Sequence, residues 1–249
     1  MGDFSSITVF EWCLLCIAAI GIGISKSGLS GISMVHVMVF AYVFGALPST
    51  GVVLPMLIVG DISATFAFGR HANWSHVRRM LPPALVGVTL GWLFMSRMDE
   101  AVYQPVIGGI ILSLTLVQII RLWRTSFLES VPHSKWFSLA MGILVGVTTM
   151  MANAAGPIFA IYLLSLSVPK MEFVGTGAWF FLLLNVLKVP FSYQMGLIDL
   201  STLNVKLVLI PLIPVGLWIG KSVVGRIPQK AFNTIILIFT AIAAIRLMI

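Results

Sequence analysis

The sequence predicts an all-α polytopic membrane protein. Three observations lead there: an apolar composition, hydrophobic runs of membrane-crossing length, and basic residues that fall on one side of those runs. Of the 249 residues, 59% are hydrophobic and 9% are charged, whereas a soluble domain carries roughly 25% charged residues. The mean hydropathy is +1.07. The bilayer is therefore the solvent for nearly the whole chain, and we predict no soluble domain.

Hydrophobic runs separated by glycine, proline or charged residues define the candidate segments. Most have the roughly 17–25 residues that a helix needs to cross a bilayer, and none alternates as a barrel strand would. The two short runs are typical of half-helices or re-entrant segments, so we predict about 8 to 10 membrane segments. The runs are 7–24, 32–47, 50–68, 79–97, 103–123, 136–152, 157–168, 173–191, 204–222 and 231–249, of which 32–47 and 157–168 are the short ones.

The basic residues favour one orientation of these runs. With the N-terminus outside, eleven of the 15 basic residues fall on the inner side, Arg97, Lys206 and Arg246 fall on the outer side, and Lys188 lies within a helix. This distribution follows the positive-inside rule, and it explains most of the net charge of +7 without nucleic-acid binding. Residues 1–6 lack the basic region of a signal peptide, so we expect the first run to be a membrane helix.

The chain resembles itself at an offset near 125 residues. GIGISKSGLSG (21–31) opens one half and GVTTMMANAAGP (146–157) opens the other, while PPALVGVTLG (82–91) resembles PLIPVGLWIG (211–220). We predict two membrane halves, 1–124 and 125–249, inverted relative to each other. Inverted repeats with broken helices near the bilayer midplane are typical of secondary transporters. The open alternative is that small and apolar residues align easily.

The first predicted break, GISKSGLSG (23–31), places glycine and hydroxyl residues where an apolar helix should end. Backbone amides freed in hydrocarbon need partners, so such a break is buried in protein or lines a polar cavity. With the helix N-terminus that follows, its polar groups predict an anion site. The alternative is that the lysine reaches a lipid headgroup. The candidate binding residues are Ser25, Lys26, Ser27, Gly28 and Gly31.

The second predicted break is MMANAAGP (150–157). Asn153 can donate and accept hydrogen bonds, Ala154 and Gly156 are small, and Pro157 suits the first turn of a helix. We predict that Asn153, Ala154 and Gly156 bind the substrate. A plain interhelical hydrogen bond from Asn153 is the alternative that the sequence leaves open.

Asp61 lies inside an apolar run, where a carboxylate needs a basic partner or a proton. The candidate partners are Lys26, Lys188 and Arg70. We predict a coupling or gating role for Asp61, Arg70 and His36, with Asp61 as a candidate proton carrier. An ion pair that only fixes helices is the alternative.

Asn185 and Lys188 lie three residues apart and so share a helix face, just before Pro190. We predict that both contact an anion or a carboxylate, with Tyr162 and Thr176 as further binding residues. The scattered histidines show no metal-ligand spacing, and no nucleophile or nucleotide motif is present. We therefore predict no metal, no cofactor and no enzymatic activity.

Four stretches carry a family resemblance: GISKSGLSG (23–31), LPMLIVGDISATFAFGRHANW (54–74), NAAGPIFAIYLL (153–164) and FVGTGAWFFLLLNVLKVPF (173–191). Together, in this order, they resemble the sulfite exporter TauE/SafE family, and the similarity covers essentially the whole chain. The resemblance implies a secondary transporter that moves sulfite, or an organosulfonate such as sulfoacetate or sulfolactate, across the bacterial inner membrane. Export is the expected direction, and proton coupling is an expectation.

The expected partners are a small anionic substrate and the lipid bilayer, with no nucleic acid, and a homodimer is left open. Three other functions also stay open: a passive anion channel, a carrier of another small carboxylate or oxyanion, and a membrane enzyme or sensor acting on a lipid.

Overall fold

The computed structural model describes residues 7–29, 32–123, 135–166, 168–198 and 202–223. These residues form helices and connecting turns, with no strand among them. The predicted site residue Gly31 and the last predicted run, 231–249, lie outside the described residues. The helices are α1 (Val9–Ser25), α2 (Ser33–Phe44), α3 (Ala46–Phe68), α4 (Trp74–Met95), α5 (Glu100–Trp123), α6 (Lys135–Ala152), α7 (Gly156–Ser165), α8 (Lys170–Gln194), α9 (Leu203–Leu209) and α10 (Leu212–Val223), with a 3-10 turn at Gly69–His71.

Several of these helices have the length and composition of membrane spans. Four stretches in the described part are long and apolar enough to cross: Ala46–His71, Lys135–Ala152, Lys170–Gln194 and Asn204–Ser222. The shorter apolar helices include α2, with 12 residues, and α7, with 10. The described part of the chain is therefore all-helical, as predicted, and its apolar helices support a multi-pass membrane protein. The total number of crossings stays a prediction.

Local capping signals set where individual helices begin. At α1 the Thr8 hydroxyl accepts from the Glu11 backbone N–H at 3.3 Å, and the Glu11 carboxylate accepts from the Thr8 N–H at 2.8 Å. This reciprocal pair is a capping box. Asn73 caps α4 by accepting from the Ser75 N–H at 3.0 Å. Pro157 stands in the first turn of α7, where a missing amide costs little.

Glycines allow very close packing within two helix pairs of the described part. Gly23 of α1 lies against α10, where a Cβ would overlap the Ile213 carbonyl oxygen. Gly146 of α6 lies against α4, where a Cβ would overlap the Ala84 carbonyl oxygen. Small residues permit such backbone contact in a membrane, where the hydrophobic effect does not drive helices together. The α1–α10 and α4–α6 pairs are therefore held in close contact through glycines.

The two long helices α3 and α8 pack against each other, and both broken connections lie beside them. One break separates α1 from α2, and the other separates α6 from α7. Aromatic residues fill the space next to the second break. Phe159 of α7 stacks on Phe180 of α8 with 4.7 Å between ring centroids and meets Phe181 edge-on at 5.0 Å.

Candidate functional site

The first break is built from the end of α1. The helix ends at Ser25, and Lys26 is its C-cap residue. The hydroxyls of Ser25 and Ser27 each donate to a carbonyl oxygen three residues back, at 2.7 Å. Gly28 has a φ of 104°, which favours glycine and turns the chain away from the helix axis. The serine hydroxyls thus satisfy α1 carbonyls, and the Lys26 ammonium remains available for other contacts.

Lys26 reaches across to α3 and pairs with Asp61. Its Nζ lies 2.6 Å from Asp61 Oδ1 and 5.4 Å from the centroid of the Phe181 ring. The other carboxylate oxygen, Asp61 Oδ2, accepts from Asn185 Nδ2 at 2.7 Å. The Asp61 side chain is fully buried, while that of Lys26 is 13% exposed. Of the partners considered for Asp61 from the sequence, Lys26 is the one it bonds.

The second break is held by a different network. Asn153, between α6 and α7, has a φ of 52°. Its Nδ2 donates to the Thr50 carbonyl of α3 at 3.0 Å, and its Oδ1 accepts from the Lys188 ammonium. Lys188 also donates to the Thr149 carbonyl at 2.9 Å, near the C-terminal end of α6, where a positive charge is favourable. Within the described ranges no carboxylate forms an ion pair with Lys188.

A cavity of about 80 Å³ lies between the two breaks. One water centre needs roughly 10–15 Å³, so this space can hold several waters or a small anion. Its polar wall combines side chains from α1, α2, α3, α6 and α8, and its apolar wall contains Phe159, Phe173 and Phe181. The predicted site residues that line it are Ser25, Lys26, Gly28, His36, Asp61, Asn153, Gly156 and Asn185.

Other predicted site residues lie close to the cavity without lining it. Lys188 reaches the site through Asn153 and Thr149, which do line it. Ser27 packs against Gly220 of α10, where a Cβ would crowd its hydroxyl. Ala154 is fully buried. Their predicted roles in substrate binding stay predictions.

Three further predicted residues lie away from the cavity wall. Tyr162 is fully buried and stacks on Phe137 at 6.2 Å. Thr176 accepts from the Asn73 N–H at 2.9 Å and so fixes the start of α4 on α8. Arg70 is exposed, and its Nε donates to His71 Nε2 at 3.1 Å. Their substrate-binding and gating roles likewise stay predictions.

The sequence reasoning missed several lining residues. Gly177 and Phe181 precede Asn185 on α8 by eight and four residues, so all three lie on one helix face. Ser33 lies three residues before His36 on α2 by the same logic. Extending the helical spacing from the polar residues already singled out would have found them.

Two lining residues carry buried polar atoms without a hydrogen-bond partner in the described part. They are both ring nitrogens of His36 and the side-chain oxygen of Asn185. No group of three or more His, Cys, Asp or Glu side chains is arranged to hold a metal ion in the ranges that the structure describes.

Comparison with known families gives one match across nearly the whole chain. The family model described as sulfite exporter TauE/SafE matches residues 15–247. No curated protein and no solved structure matches the chain.

Proposed function

Because the chain belongs to the sulfite exporter TauE/SafE family, we propose that it is a secondary transporter in the bacterial inner membrane. Its proposed substrate is sulfite or an organosulfonate such as sulfoacetate or sulfolactate, and export is the proposed direction. The observation that carries the site assignment is the Lys26–Asp61 pair, which lines a cavity between two broken helices.

The charges around the cavity favour an anionic substrate. Among the described groups of this network, two basic side chains, Lys26 and Lys188, accompany a single carboxylate, Asp61. With both lysines protonated and Asp61 ionised, the network would carry one positive charge in excess. An uncompensated charge inside a membrane protein is costly, and a bound anion would offset it.

The binding mode that we propose centres on Lys26. Its ammonium would turn from Asp61 towards the anion, and the Ser25 hydroxyl would turn from its helix carbonyl to add a donor. Gly28 and Gly156 both line the cavity between the breaks, where the anion would lie. Asn153 lines the opposite side, where its amide is already held by α3 and α8.

Asp61 is the proposed proton carrier. Protonation would remove the charge that holds Lys26 at 2.6 Å and would free the ammonium for the anion. Proton binding and anion binding would then favour each other, because each weakens the same ion pair. This linkage predicts that the anion binds more tightly at low pH.

We infer that the two halves are inverted repeats related by a pseudo-two-fold axis. Two matching glycine contacts support this relation between the halves. Gly23 contacts Gly216 in the α1–α10 pair, and Gly146 contacts Gly87 in the α4–α6 pair. Each glycine of one pair lies about 125 residues from its counterpart in the other. Asp61 and Asn185, 124 residues apart, bond to each other between α3 and α8, where an axis relating the halves would pass. The distribution of basic residues along the sequence supports opposite orientations of the two halves in the membrane.

Counterflow of sulfite and of sulfoacetate in liposomes tests this proposal. We expect Lys26→Ala to abolish most of the saturable flux and Lys188→Ala to reduce it. Lys170→Ala, an exposed lysine on the same helix as Lys188, is the matched control and should transport normally. Unimpaired transport in both test variants would overturn the site assignment. A flux that does not saturate and ignores a pH gradient would favour a passive anion channel.

A further inference from the structure

His36 is a buried polar residue that the transport scheme above leaves unused. It lies near the start of α2, on the same face as Ser33, and is 1% exposed. Neither ring nitrogen has a hydrogen-bond partner among the described residues. Most buried polar groups in native proteins are hydrogen-bonded, so an isolated imidazole suggests a partner that is absent from this conformation.

The surroundings of His36 indicate what that partner is. The other charged and amide groups of the cavity wall already bond one another: Lys26 and the Asn185 amide nitrogen bond Asp61, and Asn153 bonds Lys188. Among the buried side-chain atoms of the described cavity wall, those left without partners are the His36 ring nitrogens and the Asn185 oxygen. Both belong to residues that line the cavity, so the occupant of the cavity is the nearest source of a partner.

The unpaired atoms also have a definite chemistry. A neutral imidazole offers one N–H donor and one acceptor nitrogen, and the Asn185 oxygen is a second acceptor. The Asp61 carboxylate sets the orientation of the Asn185 amide, because it accepts from Asn185 Nδ2 at 2.7 Å. The Asn185 oxygen is then left unpaired. The site therefore offers acceptors that a bare oxyanion cannot satisfy.

We propose that His36 contacts the bound anion and, with the Asn185 oxygen, selects small sulfur-containing anions that carry their own hydrogen-bond donor. This inference rests on the proposed transport function. The oxygens of the anion accept hydrogen bonds from the Lys26 ammonium and the His36 N–H. The hydroxyl or protonated oxygen of the anion donates to the other ring nitrogen of His36 or to the Asn185 oxygen. The ring nitrogens of His36 and the Asn185 oxygen are buried in this structure. Their contacts with the anion therefore form as the cavity widens around the anion.

The matched probes are ethanesulfonate and 2-hydroxyethanesulfonate, which differ by one hydroxyl. Affinities are measured on the purified full-length protein by isothermal titration calorimetry. We expect the wild type to bind the hydroxylated compound about 3- to 10-fold more tightly, the value of roughly one hydrogen bond. His36→Phe should bring the ratio of the two affinities close to one. His36→Gln, which keeps a donor and an acceptor, should retain most of the preference.

The outcomes separate this inference from the transport proposal. If the wild type binds both compounds equally while Lys26→Ala loses both, the transport site stands and the role of His36 is overturned. An unchanged preference in His36→Phe also overturns it. If the wild type binds neither compound, this inference is overturned, while sulfite counterflow still decides the transport proposal. Equal binding of the two compounds by the wild type overturns the inference even if His36→Phe does not fold.

Discussion

The two helix breaks solve the same physical problem with different chemistry. Each interrupts an apolar helix and leaves backbone carbonyls that must be paired. At the first break, serine hydroxyls bond these carbonyls, and Lys26 extends to a carboxylate on α3. At the second, Lys188 extends from α8 to bond the end of α6, and Asn153 ties the break to α3.

This difference assigns the breaks different roles in our proposal. The Lys26 ammonium is held by a carboxylate that a proton can neutralise, and its side chain is partly exposed to the cavity. Lys188 is 2% exposed, and its ammonium bonds the Thr149 carbonyl and the Asn153 amide oxygen, which carry no charge for a proton to neutralise. We therefore interpret the first break as the one that changes partners during transport and the second as a fixed reference.

The largest expected effect comes from removing the partner of the first break. Asp61→Leu leaves the Lys26 ammonium and the Asn185 amide without their shared acceptor. We expect a loss of about 3 kcal/mol in stability, because breaking one side of a buried ion pair leaves the other charge uncompensated. The measurement is the thermal unfolding midpoint of the protein in detergent, monitored by tryptophan fluorescence.

The double variant Asp61→Leu with Lys26→Met is the control for that prediction. It removes both charges, so it should recover much of the lost stability. If the double variant is as unstable as Asp61→Leu alone, the ion pair does not account for the loss. The first break would then depend on α3 for packing rather than for charge.

A smaller effect is expected at the second break. Asn153→Ala removes two hydrogen bonds and places alanine, which adopts the left-handed region less readily than asparagine, at a φ of 52°. We expect a loss of about 2 kcal/mol, from the unpaired Thr50 carbonyl, the lost partner of the Lys188 ammonium and the backbone strain together. Asn153→Gly removes the bonds without the strain and should lose less. Equal thermal midpoints for the two variants would contradict a contribution of backbone strain at residue 153 to the loss of stability.

The smallest effect is expected from the hydroxyl caps. Ser25→Ala removes the 2.7 Å bond to the Ile22 carbonyl and should lower stability by about 0.5–1.5 kcal/mol. In the proposed binding mode it should also weaken sulfite binding, because the Ser25 hydroxyl turns towards the anion. Normal stability together with weakened binding would assign Ser25 to the substrate alone. Lowered stability with unchanged binding would restrict it to capping α1.

Much of the architecture was predictable because it depends on local chemistry. Apolar length predicted the helices, and Gly156–Pro157 predicted the start of α7 where the structure has it. The resemblance to the sulfite exporter family, made from four motifs, is confirmed by the match over residues 15–247. Local spacing also placed Asn185 and Lys188 on one helix face, although only Asn185 lines the cavity.

The sequence by itself determined that this chain is a membrane protein, because its composition is apolar along nearly its whole length. It also determined where the helices break, because glycine and proline act on the nearest few residues. Only the tertiary structure decided which charges meet. Lys26 bonds a residue 35 positions away, and Asp61 bonds one 124 positions away. Such pairs depend on how α1, α3 and α8 pack, and a local pattern carries no information about distances between separate helices. For the same reason, only the packing distinguished Lys26 from Lys188, which were both predicted from the sequence to bind the substrate.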